Sequence, residues 1–524
     1  MVKVLISDKM SPNAERVFND RGISVDVKPG MSPEELTACI AEYDGLAVRS
    51  ATKVTAGVLS AAENLKVVGR AGIGVDNVDQ NIATQKGVVV MNTPFGNSIT
   101  TAEHSISLML AVARQIPAAN SSTHAGKWEK SKFMGVELMG KTLGIIGCGN
   151  IGSIVADRAQ GLKMKVIAFD PFLSPERAKD LGVEKVDFEE LLPRADFICL
   201  HTPLTDATTG IIDASAIDSM KKGVRIINCA RGGLINEEDL RVGLDSGKIA
   251  GAALDVFANE PATNNALFGH PALVATPHLG ASTTEAQEKV AEQVAEQMAD
   301  FLLTGAVTNA LNMPSVSAEE AVRLKPFMHL AEKLGSFAGQ ATHSSISEIT
   351  ISYEGGCGAL NCNPLTAIMM QGLLSPLMEG VNMVNAPAIA KKRNIKVREV
   401  RSDGAGAYQS LITLEVVTEN QRRSIRGTLF NEEPRVVEVK GIPIDATLGP
   451  NMLYVTNRDK PGLVGALGSI IGDAGINIAT FNLGRSEEGG DAIALVEVDG
   501  EPLPEVLAEI ADLEHVVQII PMRF

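Results

Sequence analysis

The chain has 524 residues, enough for about three or four domains of ordinary size. Hydrophobic residues make up 45% and charged residues 21%, the balance of a soluble globular protein that can bury several cores. Lys and Arg number 47 against 63 Asp and Glu, a net charge of -16, which argues against general nucleic-acid binding but leaves room for local basic pockets around small anions.

The first residues, MVKVLISDKM, carry an apolar run too short for a signal peptide and are read as a β-strand. No apolar run approaches the ~18–20 residues needed to span a bilayer, so a cytoplasmic protein with no membrane partner is expected. The strand is followed by GLAVRS (45–50), KVVGRAG (66–72) and VVVMNTP (88–94), with helical patterns over 33–43 and 55–65, an alternation that predicts a parallel sheet. A long helix is expected over 100–118. A second α/β series then begins near Lys141 with six strands: TLGIIG, KVIAFD, FICLHT, VRIINCA, GAALDV and LVATPH. Residues 284–303 have helical periodicity and return the chain to the first unit. The first lobe is therefore expected to be discontinuous (1–98 and 283–312), with a dinucleotide-binding domain (99–282) inserted through crossings near 94–98 and 279–283. Residues 313–448 read as a separate α+β domain. Residues 449–524 run strand, helix, strand, strand, helix, strand, the ferredoxin-like order. The six cysteines are scattered without zinc-ligand spacing, so reduced thiols and no metal are expected.

Gly147-Cys148-Gly149-Asn150-Ile151-Gly152 fits G-x-G-x-x-G between a strand and a helix. Gly147 permits the turn, Gly149 lets the backbone approach a pyrophosphate, and Gly152 lets helix and strand pack closely. The helix N-terminus offers free N–H groups to phosphates. Asp170, at the end of the next strand, is placed to accept hydrogen bonds from ribose hydroxyls and to repel a 2′-phosphate, which favours NAD over NADP. Asp170-Pro171 is also a good turn dipeptide.

Three polar residues stand just past strand ends, where open α/β sheets bind ligands: Arg231, Glu260 and His278. Singly, each has a plain reading as a turn cap, a loop start or a structural histidine. Together they supply what hydride transfer from a hydroxy acid needs: a base for the hydroxyl proton (His278), a carboxylate to orient it (Glu260), and a planar cation for the substrate carboxylate (Arg231).

The segments VGRAGIGVDNVD (68–79), GCGNIG (147–152), NCARGGLINEEDL (228–240), ALDVFANEP (253–261) and TPHLGAST (276–283) closely resemble the D-isomer-specific 2-hydroxyacid dehydrogenases over about residues 1–312. The resemblance implies two Rossmann-like doubly wound α/β domains and the same catalytic trio. It also implies NAD contacts at Ile73, Asn150, Ile151, Asp170, Thr202, Cys229, Ala230, Arg231, Asp255 and the loop His278, Gly280, Ala281. NRDKPGLVGALGSIIGDAGINI (457–478) resembles an ACT domain, and 313–448 resembles the intervening domain of the long-form branch of the family. That branch implies oxidation of 3-phospho-D-glycerate to 3-phosphooxypyruvate, the entry to L-serine, by a homo-oligomer. Other activities of the family (hydroxypyruvate or glyoxylate reduction) and an NAD-sensing corepressor are the rivals, and the ACT-like tail argues against both.

A substrate with a carboxylate and a phosphate needs two cationic sites. Arg231 serves the carboxylate, with backbone N–H groups around Ile73 and Gly74. Arg49 and Arg70 are candidates for the phosphate, with surface charge as their plain alternative. Lys130 is placed to reach a neighbouring subunit's site. In the ACT-like unit Asn457 and Asp459 are read on the loop before a helix and Asn477 just after it, a candidate L-serine site. The same residues also favour turns.

Overall fold

The structure, a computed structural model, describes residues 2–316 and 318–524. Five strands form the first sheet: β1 Lys3–Ile6, β2 Ser24–Val27, β3 Gly45–Val48, β4 Val67–Arg70 and β5 Val89–Met91. Their order is β2-β1-β3-β4-β5, all parallel. β2 was not expected. Its sequence SVDV alternates Ser and Asp with Val and stays partly exposed at the sheet edge, so it lacks the apolar run that marks the central strands.

The expected helix over 100–118 is two helices, Ser98–Arg114 and Ile116–His124, broken at Gln115, which has φ 53°. Pro117 explains the break: it has no N–H to donate and its ring would clash one turn back.

The second sheet has seven parallel strands rather than the expected six: β6 Thr142–Ile146, β7 Lys165–Phe169, β8 Glu184–Lys185, β9 Phe197–Leu200, β10 Val224–Asn228, β11 Ile249–Leu254 and β12 Leu273–Ala275. The unexpected β8 is an exposed two-residue edge strand of Glu and Lys, which carries no apolar signal. The order β12-β11-β10-β9-β6-β7-β8 reverses between β6 and β9, the switch point at which such sheets bind ligands. Helix Thr284–Thr304 then packs on the first sheet, burying Val290, Val294 and Met298 with Val4, Ala47 and Val67.

The third sheet is mixed: β13 Ile346–Gly355, β14 Lys396–Ser402, β15 Ser410–Thr418, β16 Arg422–Phe430, β17 Glu433–Val439 and β18 Ile442–Ala446, in the order β14-β13-β15-β16-β17-β18. The last sheet holds β19 Asn451–Arg458, β20 Ile478–Arg485, β21 Asp491–Val498 and β22 Val516–Arg523, ordered β20-β21-β19-β22 and antiparallel throughout, the expected ferredoxin-like arrangement. One continuous core joins the two sheets: Leu330, Leu334 and Phe337 of helix Ala318–Gln340 pack with Met452, Tyr454 and Leu495. No helix among the described residues is long and apolar enough to cross a membrane.

Candidate active site

The register of the second sheet levels its strand ends. Phe169, Ile146, Leu200, Asn228, Leu254 and Ala275 pair in one row. The residues that follow therefore share one rim: Asp170, Gly147, Cys229, Asp255, Thr276 and, one step further, Thr202.

At the switch point, Gly147 has φ 92°, and a Cβ there would stand 2.6 Å from the His201 carbonyl oxygen. A Cβ on Gly152 would stand 2.1 Å from the Gly147 carbonyl oxygen, so only glycine lets the helix sit this close. A Cβ on Gly149 would meet nothing within 4 Å, and helix Asn150–Gly161 begins without a side-chain cap. The loop thus presents open space and uncapped N–H groups, which fits a dinucleotide pyrophosphate. Asp170 closes the turn that its pairing with Pro171 suggests, its carboxylate accepting from the Phe172 N–H at 2.8 Å, and it also accepts from the Cys148 N–H at 2.8 Å, a bond the sequence did not announce, which ties down the glycine loop. The Cys229 thiol lies in the core, and burial above all pushes it up to about 12, so this residue offers the rim its backbone.

Asn228 shapes the turn that carries Arg231, donating from Nδ2 to the Arg231 carbonyl oxygen at 2.8 Å and accepting from the Ala230 N–H at 3.0 Å. The Arg231 guanidinium crosses to the first lobe. Its Nε donates to Asp76 at 3.0 Å, and it lies over Gly74, where a Cβ would stand 1.6 Å from Nη2. His278 has φ 56°, and its N–H donates to the Asp255 carbonyl oxygen at 2.9 Å. Its Nδ1 lies 2.6 Å from Glu260 Oε2, while Glu260 Oε1 accepts from the Phe257 N–H at 3.0 Å. A carboxylate has no hydrogen to give, so Nδ1 carries the N–H, and in the neutral ring Nε2 is the acceptor.

Asp255 is 0% exposed. It accepts from Thr276 Oγ1 at 2.6 Å and from the Leu279 and Gly280 N–H groups at 2.8 Å, and it lies 3.2 Å from His104 Nε2. Burial works to raise its carboxyl but is outweighed by these bonds, which hold it below its usual range. Asp255 is the post to which the 276–281 loop is moored. The sequence reading missed His104 and Asp76. Neither belongs to a spacing pattern, and each meets its partner only through the tertiary fold.

A cleft of about 730 Å³ opens between the lobes. The first lobe contributes Arg49 and Arg70 to its lining, the second Glu260, His278 and Ala281. Arg70 lies over Gly72, where a Cβ would stand 1.6 Å from Nη1, and its Nε is buried without a partner. Burial first, then the Arg231 and Arg49 charges, push this guanidinium down to about 10. Arg49 is held by its own backbone N–H to Asp8 at 2.6 Å and by Nη1 to the Lys9 carbonyl oxygen at 3.1 Å. The Ile73 carbonyl oxygen accepts from Asn92 at 2.6 Å. Lys130 stands elsewhere, on an exposed turn beside Trp128, which is 87% exposed.

The three candidate regulatory residues each have a partner of their own. Asn457 is not on the loop, as expected, but inside β19, where it is 3% exposed and donates to the Arg458 carbonyl oxygen at 2.9 Å. The strand extends because Asn457 still pairs with Ala492 and Val516 on both sides. Asp459 accepts from Arg485 at 3.0 Å and from the Gly489 N–H at 3.1 Å. Asn477 donates to Asp499 at 2.9 Å.

Residues 106–280 match the family described as D-isomer specific 2-hydroxyacid dehydrogenase, NAD binding domain. Residues 323–440 match the D-3-phosphoglycerate dehydrogenase intervening domain, and residues 451–515 the ACT domain. The D-3-phosphoglycerate dehydrogenase of Archaeoglobus fulgidus is 41% identical over 520 residues, covering 98% of this chain and 99% of that one. The chain belongs to the D-3-phosphoglycerate dehydrogenase family. Its relative from Bacillus subtilis is likewise 41% identical, over 523 residues and 99% of each chain. A solved glyoxylate reductase from Paecilomyes thermophila matches with a TM-score of 0.56 at 29% identity, covering 59% of this chain and 98% of that one. The two catalytic lobes are thus common property of several dehydrogenases, and the remaining two domains separate this family from them.

Proposed function

We propose that the protein is a cytoplasmic, homo-oligomeric enzyme that uses NAD to oxidise 3-phospho-D-glycerate to 3-phosphooxypyruvate, the entry to L-serine. The observation that carries this reading is the meeting, in one cleft, of the His278–Glu260 couple with the cation Arg70, whose buried Nε has no partner. Arg231 holds the substrate carboxylate with its planar fork, beside the N–H groups of Ile73 and Gly74. Arg70 and Arg49 take the phosphate, whose charge relieves their mutual repulsion. Lys130 serves a neighbouring subunit's cleft. The loop Gly147–Gly152, with Asp170, Thr202, Cys229, Ala230 and the His278, Gly280, Ala281 loop, holds NAD, and Asp255 fixes that last loop. Bound NAD supplies the hydride acceptor for C2. As the C2–H bond breaks, the hydroxyl proton moves to His278 Nε2, and the C2–O bond becomes a carbonyl. Glu260 stabilises the imidazolium that results.

Arg70→Met tests the reading. A buried charge beside two like charges costs the free protein stability, so the variant should unfold at the same temperature or higher while KM for 3-phospho-D-glycerate rises roughly 10–100-fold. An unchanged KM would remove Arg70 from the phosphate site.

The ACT domain supports a second inference on the same protein, sensing of L-serine near Asp459, Asn457 and Asn477. Titration of L-serine against NADH production should show inhibition that Asp459→Ala weakens. Insensitivity of the wild type at millimolar serine would sink this inference.

A further inference from the structure

The seam between the intervening and C-terminal domains contains a small, mostly apolar cavity with two cationic side chains in its lining, the half-buried Arg423 and the exposed Lys440. Its volume is about 20 Å³, room for one water-sized guest. Arg423 of β16, Lys440 of the β17–β18 turn and Tyr454 of β19 line it, beside Phe337. Tyr454 is 1% exposed, yet its hydroxyl has no hydrogen-bond partner. Arg423 Nε and Nη1 are also buried without partners. Among the described residues no carboxylate pairs with Arg423. Asp491 acts on Lys440 and is itself bonded to Arg458.

Lys440 has φ 52° and Gly441 φ 78°, the backbone of a tight hairpin turn whose first position suits Asn or Gly far better than Lys. That strain carries a lysine to the cavity wall. The three side chains bring N–H and O–H donors and two positive charges. A water could accept from two of them but would leave the charge unbalanced. Burying an unpaired guanidinium is costly, and an anion removes the cost.

We propose that Arg423, Lys440 and the Tyr454 hydroxyl form a binding site for one small inorganic anion of chloride size, which ties the intervening domain to the ACT sheet. The anion bridges β16 and the β17–β18 turn on one side and β19 on the other. Its binding therefore stabilises the seam in proportion to its saturation.

The test is thermal unfolding of the full-length protein in sodium chloride and in sodium gluconate at equal ionic strength, since gluconate exceeds the cavity. Chloride should give a saturable rise of roughly 2 °C over gluconate. Arg423→Met and Lys440→Asn, the second of which keeps the turn, should each lose that rise. Crystals of the wild type soaked in bromide should show an anomalous peak between Arg423 and Tyr454. Equal midpoints in the two salts, a rise unchanged in both variants, or a water in place of the bromide peak would overturn the proposal.

Discussion

His278 sits in the left-handed backbone region at φ 56°, which most side chains avoid but His, Asn and Asp tolerate. The strain is held by the bond from its N–H to the Asp255 carbonyl oxygen and by the moored loop that follows. This argues for Asn as the informative replacement, because it keeps the backbone and removes the proton acceptor. His278→Asn should lower turnover by about 10²–10⁴ while NADH still binds and the unfolding temperature holds. Near-normal turnover would show that another group takes the proton. Arg231, Glu260 and His278 were legible in the sequence because each follows a strand end, and strand ends share a rim. The burial of Arg70 and the part played by His104 and Asp76 were not legible. They depend on which side chains the two lobes bring face to face, and no local pattern records that.

The central strands were readable because burial on both faces demands continuous apolar runs such as TLGII and FICL. β2 and β8 were not, because edge strands need no such run. The break at Gln115 follows from Pro117, whose effect on the backbone lies one turn upstream of the proline itself. Asn457 was misplaced because Asn favours loops on average, and ladder pairing on both sides overrode that preference here. At this scale the glycine turn, helix Asn150–Gly161 and β7 act as one unit, fastened by the bond from the Cys148 N–H to Asp170. Asp170→Ala should loosen the glycine turn and remove the negative charge that repels a 2′-phosphate. The ratio of kcat/KM for NAD over NADP should fall, and NAD affinity with it. A ratio unchanged from the wild type would assign the cofactor choice to another residue.

In the whole molecule, two lobes close around one cleft, while the intervening and ACT domains share a core through Phe337, whose ring centroid lies 5.1 Å from that of Tyr454. Asn382 of the intervening domain donates to the Gly87 carbonyl oxygen of the first lobe at 2.9 Å, a direct bond between these two units. The cleft itself brings Arg49 and Arg70 together with the His278–Glu260 couple. Such a cleft should select a hydroxy acid that also carries a phosphate. The most direct test is NADH formation by the wild-type protein on a panel of 3-phospho-D-glycerate, D-glycerate, D-lactate and, in the reverse direction with NADH, glyoxylate and hydroxypyruvate. 3-Phospho-D-glycerate should be oxidised with a kcat/KM at least about 10²-fold above D-glycerate, the lost charge-assisted phosphate contacts setting the ratio. Equal rates on the two glycerates, or turnover confined to the phosphate-free acids, would contradict it.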